Sequence, residues 1–178
     1  MTYSFIFIIF VAVLFLWLQI TNNSSFFSAP FVETEPKIVQ RMLNIADVKK
    51  GDVLYDLGSG DGRVVISAAL RGAKAVGIEL DPLKAFYSKL FIKIMKLGKT
   101  ASIIRKNFFE TNLKEADVVT LFLLHDTNQK LKNKLKKELK PGSRVVSYSF
   151  ILEGWKPEKT YLNADSVYGP IYLYKIGK

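Results

Sequence analysis

The glycine-rich turn that follows Asp56 constrains the fold of this chain more than any other segment. A short apolar strand leads into Asp56, and Gly58, Gly60 and Gly62 then stand at alternate positions before a helix predicted over Arg63–Leu70. Glycine lets the backbone approach a ligand closely, and the first N–H groups of the following helix point towards that ligand. The segment therefore predicts a nucleotide-binding turn between a parallel strand and its helix.

Acidic residues around this turn indicate which nucleotide it binds. Asp56 lies two positions before Gly58, and Glu79 ends the next predicted strand, where its carboxylate can accept hydrogen bonds from ribose hydroxyls. The spacing is G-x-G-x-G, whereas dinucleotide-binding turns carry G-x-G-x-x-G. An acid beside the turn would repel a pyrophosphate but suits the cationic amino-acid part of S-adenosylmethionine. The pattern favours a methyl-donor site over a dinucleotide site and over a turn that binds no ligand.

Predicted strands and helices alternate from Glu35 onwards. The strands are predicted at Asp52–Leu57, Ala75–Leu80, Ala101–Arg105, Asp117–Leu123 and Ser143–Phe150, and the helices at Pro36–Ala46, Arg63–Leu70, from Pro82 to just before Gly98, and Asn128–Leu139. The helix that begins at Pro82 has an apolar face made of Leu83, Phe86, Tyr87, Leu90, Phe91 and Ile94. The tail, Ile151–Ile176, has aromatic β segments and no helix. This order predicts an α/β fold with a doubly wound, mostly parallel sheet and an antiparallel C-terminal hairpin.

The first 32 residues carry no charged side chain, although the chain as a whole has 26 Lys and Arg. Phe5–Leu18 is an unbroken apolar run, and the uncharged stretch from Tyr3 to Ile20 spans about 27 Å, enough for a bilayer core. We therefore predict one N-terminal transmembrane helix as an anchor at residues 1–20, a polar tether at residues 21–31 and a folded domain at residues 32–178.

A cleaved signal peptide and a buried soluble helix are the alternatives to an anchor. The segment has no basic n-region, and cleavage after Ala29 would place Phe27 at the −3 position, where a small residue is required. Lys37, Arg41 and further basic residues follow the span, so the positive-inside rule places the folded domain in the cytoplasm. The sequence thus predicts a single-pass membrane protein with a cytoplasmic domain.

The rest of the composition excludes several classes of site. There is no cysteine, which rules out a disulfide, a thiolate zinc site and a cysteine nucleophile, and no metal site is predicted. The net charge is +10, and half of it comes from the lysine-rich segment Lys130–Lys140. Three interpretations of these lysines are open: a solvated helix face, a surface attracted to anionic lipid, or a nucleic-acid contact. Nucleic acid is the least favoured, because no arginine or aromatic residue is interleaved with the lysines.

Several segments carry a resemblance to a known family: Glu35–Leu43, Asp56–Arg63, Asn107–Glu110, Val118–Leu124 and Leu139–Ser147. Residues 51–150 resemble class I, seven-β-strand S-adenosylmethionine-dependent methyltransferases. Residues 30–178 more narrowly resemble the archaeal broad-specificity protein-lysine methyltransferases and the mitochondrial ATP-synthase c-subunit lysine methyltransferases. The resemblance implies a seven-stranded Rossmann-like sheet, S-adenosyl-L-methionine as cofactor and a protein lysine as substrate. We further expect a monomer.

The resemblance also implies a set of cofactor-binding residues: Thr34, Asp56, Gly58, Ser59, Gly60, Gly62, Glu79, Asn107 and Phe108. By this assignment the turn holds the methionine end, Glu79 holds the ribose, and Asn107 binds the adenine amino group with Phe108 packed on the ring. The family often has Asp where this chain has Asn107, and an amide oxygen can still accept the same hydrogen bond. Thr34 would bind the methionine carboxylate, although the segment before it departs from the family pattern.

The acceptor is expected to meet the methyl group just after the fourth strand. The candidate channel-lining residues are Leu124, His125, Asp126 and Tyr148. His125, the only histidine, is either a proton relay or a structural residue before the next helix. Asp126 either lines the channel or caps the helix at Asn128–Leu139, and Tyr148 belongs either to the channel or to the core. No strong base is required, because a desolvated channel lowers the pKa of a lysine acceptor.

Three other functions stand as alternatives to protein-lysine methylation. A methyltransferase for lipid or quinone headgroups would suit the anchor and the aromatic helix segment Phe86–Phe91. A non-catalytic binding module is disfavoured by the intact turn together with Glu79 and Asn107. An RNA methyltransferase is disfavoured because Leu123–Asp126 stands where base-modifying enzymes carry an Asn/Asp-Pro-Pro-aromatic loop.

Overall fold

The computed structural model describes residues 32–162 and 168–177. The strands are β1 (Val53–Leu57), β2 (Lys74–Glu79), β3 (Ala101–Arg105), β4 (Val118–Leu121), β5 (Arg144–Tyr148), β6 (Lys159–Tyr161) and β7 (Ile171–Lys175). The helices are α1 (Pro36–Ile45), α2 (Arg63–Leu70), α3 (Pro82–Ile94) and α4 (His125–Glu138), with a 3₁₀ turn at Phe108–Glu110. The predicted anchor at residues 1–20 and tether at residues 21–31 lie outside the described residues. Within the described ranges, no helix combines the length and the apolar character that crossing a membrane requires.

The described strands form one sheet in the order β3-β2-β1-β4-β5-β7-β6. β1 to β5 run parallel to one another, whereas β7 runs antiparallel between β5 and β6. In β1, Asp56 lies beside Gly77 of β2 on one side and Thr120 of β4 on the other. The strand order reverses at β1, and doubly wound sheets bind ligands outside the carboxyl ends of their strands at such a point. The predicted seven-stranded, mostly parallel α/β sheet with an antiparallel C-terminal hairpin is confirmed.

The central strands are buried on both faces, as expected for parallel strands of nearly continuous apolar sequence. Leu54 of β1 packs into one apolar cluster together with residues of α1 and α2. Leu57 of the same strand packs into the opposite cluster, which includes residues of α4. Because β1 is held from both sides, the turn at its carboxyl end starts from a fixed position.

Helix α3 does not pack through the apolar face predicted from its sequence. Its buried residues are Ala85, Ser88 and Ile92. Ser88 Oγ donates a hydrogen bond to the Gly60 carbonyl at 2.8 Å, and only small side chains leave room for this close approach to the glycine turn. Five members of the predicted face are instead exposed: Phe86, Tyr87, Leu90, Phe91 and Ile94. The apolar pattern identified the helix but not the side that is buried.

Helix α4 begins three residues earlier than predicted, at His125 instead of Asn128. Leu124 is the N-cap residue and makes no side-chain cap, so the expectation that Asp126 caps this helix is wrong. Asn128 lies inside the helix, fully buried, and its Nδ2 donates to Ser147 Oγ at 3.0 Å. This buried amide fixes α4 to β5, a long-range contact that a local capping signal cannot reveal. β4 and β5 also end two residues before their predicted ends.

Candidate functional site

The turn between β1 and α2 contains three glycines in the left-handed region. Gly58, Gly60 and Gly62 have φ values of 80°, 54° and 81°, which residues with a Cβ rarely adopt. The Gly58 N–H donates to the Ile78 carbonyl at 2.9 Å, which ties the turn to the end of β2. A Cβ on Gly58 would lie 2.8 Å from Leu123 Cδ2, so the segment after β4 packs directly against the turn. The three glycines therefore permit both the path of the backbone and its close packing.

Ser59 lies under the turn and packs on β2. A Cβ on Gly77 of β2 would lie 2.5 Å from Ser59 Oγ and 2.6 Å from Ile103 Cδ1. The Ser59 side chain is buried, and its hydroxyl has no hydrogen-bond partner among the described residues. The structure thus directs the hydroxyl of this predicted cofactor-binding residue towards β2.

Glu79 holds the turn through both oxygens of its carboxylate. The side chain is buried, Oε2 accepts from the Gly60 N–H at 2.8 Å, and Oε1 accepts from the Asp81 N–H at 2.8 Å. Each carboxylate oxygen has two lone-pair sites, so each can accept one further hydrogen bond from a ligand hydroxyl. The predicted ribose ligand is therefore also the residue that fixes the backbone of the turn, a role that was not apparent from the sequence.

Asp56 is buried at the end of β1. Thr120 Oγ1 donates a hydrogen bond to Asp56 Oδ1 at 2.6 Å across the β1–β4 pair. Burial raises the pKa of the Asp56 carboxyl to about 7; the Thr120 hydrogen bond opposes this rise, and the charges of Glu79 and Asp61 add to it. A positive charge placed nearby would stabilise the carboxylate, so this position favours a cationic ligand group.

Arg63 connects the segment before α1 to the glycine turn. Its guanidinium pairs with Asp61 and donates through Nη1 to the Thr34 carbonyl at 2.6 Å. Its Nη2 lies 3.2 Å from Glu33 Oε2. These bonds place Thr34, a buried residue, beside the first residue of α2. Arg63 was missed from the sequence, because nothing in the distance along the chain indicates that it contacts Thr34.

The predicted adenine-binding residues follow β3. Asn107 Oδ1 accepts from the Phe109 N–H at 3.0 Å and so begins the 3₁₀ turn. Phe108 is half-buried, and its ring centroid lies 4.8 Å from that of Phe109. The Lys106 N–H donates to the Glu79 carbonyl at 3.2 Å. This bond brings the Asn107 segment to the same end of the sheet as the predicted ribose ligand.

An aromatic cluster lies where β4 and β5 end. The ring centroids of Phe122 and Tyr148 are 4.5 Å apart, and Tyr168 lies 5.8 Å from Phe122 and 6.5 Å from Tyr148. Tyr148 is buried and Tyr168 is exposed, so the cluster runs from the core to the surface. Leu124 follows on the same segment and is also exposed. Phe122 and Tyr168 were not predicted, because an aromatic residue near a strand is more often a core residue than part of a site.

His125 and Asp126 lie in the first turn of α4, at the surface. His125 Nε2 is 3.0 Å from Glu153 Oε1, and its Nδ1 is 3.3 Å from Asp126 Oδ1. The hydrogen bonds to Asp126 and then Glu153 raise the pKa of the imidazole. These contacts link α4 to the loop after β5, and a proton-relay role for His125 stays a prediction.

The structure brings the predicted cofactor residues to the carboxyl edge of the sheet, through the contacts among Thr34, the glycine turn, Asp56, Glu79 and Asn107. Residues that complete this arrangement but carry no local sequence signal are Arg63, Ser88, Thr120 and Leu123. Across residues 32–162 and 168–177, no group of three or more His, Asp and Glu side chains could hold a metal ion.

Several known proteins have sequences related to this one. The family model of the ANTKMT methyltransferase domain matches residues 56–159. A protein-lysine N-methyltransferase of Saccharolobus islandicus is 47% identical over 154 residues, which cover 84% of this chain and 94% of the relative. The ATP-synthase c-subunit lysine N-methyltransferase of Mus musculus is 32% identical over 131 residues, which cover 74% of this chain and 53% of the relative.

A solved structure is similar over almost its full length. It is the crystal structure of an RNA methyltransferase from Salinibacter ruber in complex with S-adenosyl-L-homocysteine, with a TM-score of 0.77 and 42% sequence identity. The alignment covers 82% of this chain and 94% of that one. The family match spans more than half of the present chain, and the archaeal relative is covered nearly from end to end. The chain therefore belongs to the family of the ANTKMT methyltransferase domain.

Proposed function

We propose that this protein transfers methyl groups from S-adenosylmethionine to lysine side chains of proteins. The observation that carries the proposal is the 47% identity to a protein-lysine N-methyltransferase over 94% of that relative. The mouse relative, whose name places the modified lysine in the ATP-synthase c-subunit, supports the same acceptor group.

The residues at the carboxyl edge of the sheet fit this cofactor. The three left-handed glycines give the turn a backbone path that residues with a Cβ rarely adopt, and the buried carboxyl of Asp56 favours a cationic group such as the methionine ammonium. Glu79 keeps acceptor sites for ribose hydroxyls while its two backbone bonds hold it in place. When bound, S-adenosylmethionine would supply a sulfonium methyl group: the nitrogen of a neutral amine would bond to the methyl carbon in line as the C–S bond breaks, with S-adenosylhomocysteine as the leaving group and the amine proton passing to solvent.

The chain's own residues then have to position a neutral lysine amine, because positioning supplies most of the acceleration of such a displacement. We assign the aromatic cluster Phe122, Tyr148 and Tyr168, with Leu124 beside it, to the wall of the acceptor channel. Apolar rings exclude water, and desolvation lowers the pKa of an ammonium group. His125 lies next to this segment, but Asp126 and Glu153 occupy both of its ring nitrogens, so in this proposal the amine proton passes to solvent.

The site of action in this proposal is the cytoplasmic surface of a membrane. The uncharged segment from Tyr3 to Ile20 acts as a single-pass anchor, and the basic residues after it retain the folded domain on the cytoplasmic side. The anchored protein acts as a monomer on membrane proteins whose lysines lie close to the bilayer.

The test is transfer of labelled S-adenosylmethionine to a membrane fraction by the full-length protein. We expect label in protein bands, with methyl-lysine after acid hydrolysis. Asp56→Ala and Glu79→Ala should each lower cofactor affinity at least tenfold by calorimetry, whereas Asp47→Ala, at an exposed position, should leave it unchanged. Label extracted into chloroform would instead identify a lipid or quinone acceptor and would overturn the lysine proposal.

RNA methylation is the second candidate, and one observation favours it. The structure from Salinibacter ruber, at 42% identity, is that of an RNA methyltransferase. The two candidates differ in a simple way: label that disappears from the acid-precipitable fraction after ribonuclease treatment belongs to RNA, and label that disappears after protease treatment belongs to protein.

A further inference from the structure

The outward side of α3 is covered by large apolar residues: Phe86, Tyr87, Leu90, Phe91 and Ile94. At 100° per residue these positions centre on the side of the helix opposite to Ala85, Ser88 and Ile92, which face the sheet. Their exposure is large, reaching 61% for Phe86 and 64% for Ile94. We call this set the α3 outer face.

A helix that is apolar on both sides is normally buried on both sides. α3 is buried on one side only, and none of the described residues covers its outer face. Contiguous exposed apolar patches on a folded protein mark contact with another protein or with a membrane. The outer face therefore requires an occupant.

The charges around the face indicate the chemistry of that occupant. From Pro82 to Phe109 the chain has seven Lys and Arg residues and no Asp or Glu. Lys89 and Lys93 are exposed on one flank of the outer face at helical spacing, and Lys96 is exposed in the turn that follows the helix. An apolar helix face with aromatic residues and flanking lysines is the pattern of a helix that lies in the interface of an anionic bilayer. A second copy of this chain would bring two such positive segments together, which opposes self-association.

We propose that the α3 outer face docks on an anionic lipid surface and sets the orientation of the folded domain on the membrane. The proposal rests on the proposed anchor at residues 1–20, because the eleven-residue tether can extend by at most about 40 Å and so keeps α3 within reach of the bilayer. The apolar face enters the interface between headgroups and acyl chains, and the lysine flank contacts the anionic headgroups.

The chain has no cysteine, which allows the face to be probed by single substitutions in the full-length protein. Ile94→Cys and Leu70→Cys form a matched pair, because both side chains are 64% exposed and only Ile94 lies on the outer face. Each variant is labelled with an environment-sensitive fluorophore and reconstituted into phosphatidylcholine vesicles with or without phosphatidylserine, with doxyl-labelled lipid as quencher. We expect several-fold stronger quenching at position 94 than at position 70 when phosphatidylserine is present.

A second set of variants tests the charge requirement. Replacing Lys89, Lys93 and Lys96 by Gln in the Ile94→Cys background should reduce quenching in phosphatidylserine vesicles to the level seen without it. The matched control replaces Lys130, Lys136 and Lys137 on α4, which removes the same charge from exposed positions and should leave the quenching unchanged.

Equal quenching at positions 94 and 70 would overturn the proposal. Protection of the fluorophore at position 94 from solvent in detergent, without lipid vesicles, would overturn it as well. If this protection depends on protein concentration, a second copy covers the face. If it is independent of concentration, a segment of the same chain covers it. Methylation of proteins in an added membrane fraction by the same preparations is measured in parallel. Methylation without lipid contact refutes only the docking surface, and lipid contact without methylation refutes only the proposed function.

Discussion

Asp56, a predicted cofactor-binding residue, lies where its negative charge destabilises the free protein. Its carboxyl is buried beside Glu79 and has a pKa of about 7, well above that of an aspartate in water. Without a cation nearby, ionisation of this group therefore destabilises the folded state. The same property makes the position selective for a positively charged ligand group.

Replacing Asp56 by Asn is expected to stabilise the free protein and weaken cofactor binding. The folded pKa lies above the unfolded one, so between about pH 4 and pH 7 the folded state holds more protons and wild-type stability falls as pH rises. The Asp56→Asn variant lacks this loss. At pH 8 it should therefore be more stable by up to about 4 kcal/mol, and near pH 4 the two should be equal.

Urea unfolding of the two proteins at several pH values measures this difference. Asp47→Asn, at an exposed position, is the control and should follow the wild type. If the difference in unfolding free energy between the Asp56→Asn variant and the wild type stays constant from pH 4 to pH 8, the pKa of Asp56 is not raised in the folded protein. Calorimetry at pH 6 should also show proton release when the wild type binds the cofactor, because the ligand's positive charge favours the carboxylate.

His125 allows a direct measurement, because it is the only histidine in the chain. Its imidazole pKa should lie above the usual value, and Asp126→Asn should lower it more than Glu153→Gln, since the bond to Asp126 is the larger cause. An NMR titration of the single imidazole gives the value. A pKa that neither substitution changes would mean that the two carboxylates do not hold the ring.

The pH dependence of methyl transfer then separates the two roles of this residue. If His125 relays the proton, the rate should titrate with the imidazole, and His125→Asn should remove that dependence. An unchanged profile in His125→Asn would identify the residue as a structural link between α4 and the loop after β5.

At the scale of elements, β2 and the glycine turn pack closely because Gly77 of β2 has no Cβ. Gly77→Ala would bring a Cβ to 2.5 Å from Ser59 Oγ and 2.6 Å from Ile103 Cδ1. Overpacking of this kind typically costs about 1–3 kcal/mol, and here it would also displace the cofactor turn. We expect a lower unfolding temperature and weaker cofactor binding.

Gly98→Ala provides the matched control, because no atom lies within 4 Å of the added Cβ and the residue does not have a positive φ. The double variant Ser59→Gly, Gly77→Ala should recover part of the loss, with the remainder due to Ile103. If Gly77→Ala behaves like Gly98→Ala in thermal unfolding, the close packing described between β2 and the turn is incorrect.

Local signals in the sequence predicted those helix ends that are fixed by residues adjacent in the chain. Asp81 accepts from the N–H groups of Leu83 and Lys84, and Pro82 occupies the first turn, so the start of α3 was readable from four residues. The start of α4 was not, because Leu124 offers no cap and Asn128 is fixed by its bond to Ser147, nineteen residues away.

The same distinction applies to the candidate site. The glycine turn and Glu79 were found because strand, turn and acid stand in a fixed order along the chain. Thr120 and Arg63 were missed, because their bonds to Asp56 and Thr34 exist only after the strands have paired. The inward face of α3 was missed for a related reason, since the preference for small residues there comes from the nearby glycine turn.

At the scale of the whole molecule, the positive charge is not concentrated in one helix. Residues 82–109 contribute +7 of the net +10, in addition to the lysines of α4 and against acidic residues elsewhere. The segment that contains the α3 outer face thus carries more positive charge than α4, and the attraction of that face to an anionic membrane should weaken as salt is added.

The predicted orientation in the membrane can be tested on the intact protein. With a C-terminal epitope, the folded domain should be digested by protease in inverted vesicles and protected in right-side-out vesicles, because the positive-inside rule predicts a cytoplasmic location for the side that carries the basic residues. Protection in inverted vesicles would reverse the orientation. Release of the epitope in a soluble, shortened form would indicate a cleaved signal peptide.

The direction of α3 gives the docking proposal a geometrical consequence. β2 and β3 are parallel, so the helix between them runs back against the strand direction. When α3 lies flat on the headgroups, the strands also run along the membrane plane, about one helix diameter (roughly 10–12 Å) above it. The mouth of the site then opens sideways, parallel to the bilayer. In this arrangement the height of a substrate lysine above the lipid determines whether it reaches the site, whatever residues surround it in the sequence.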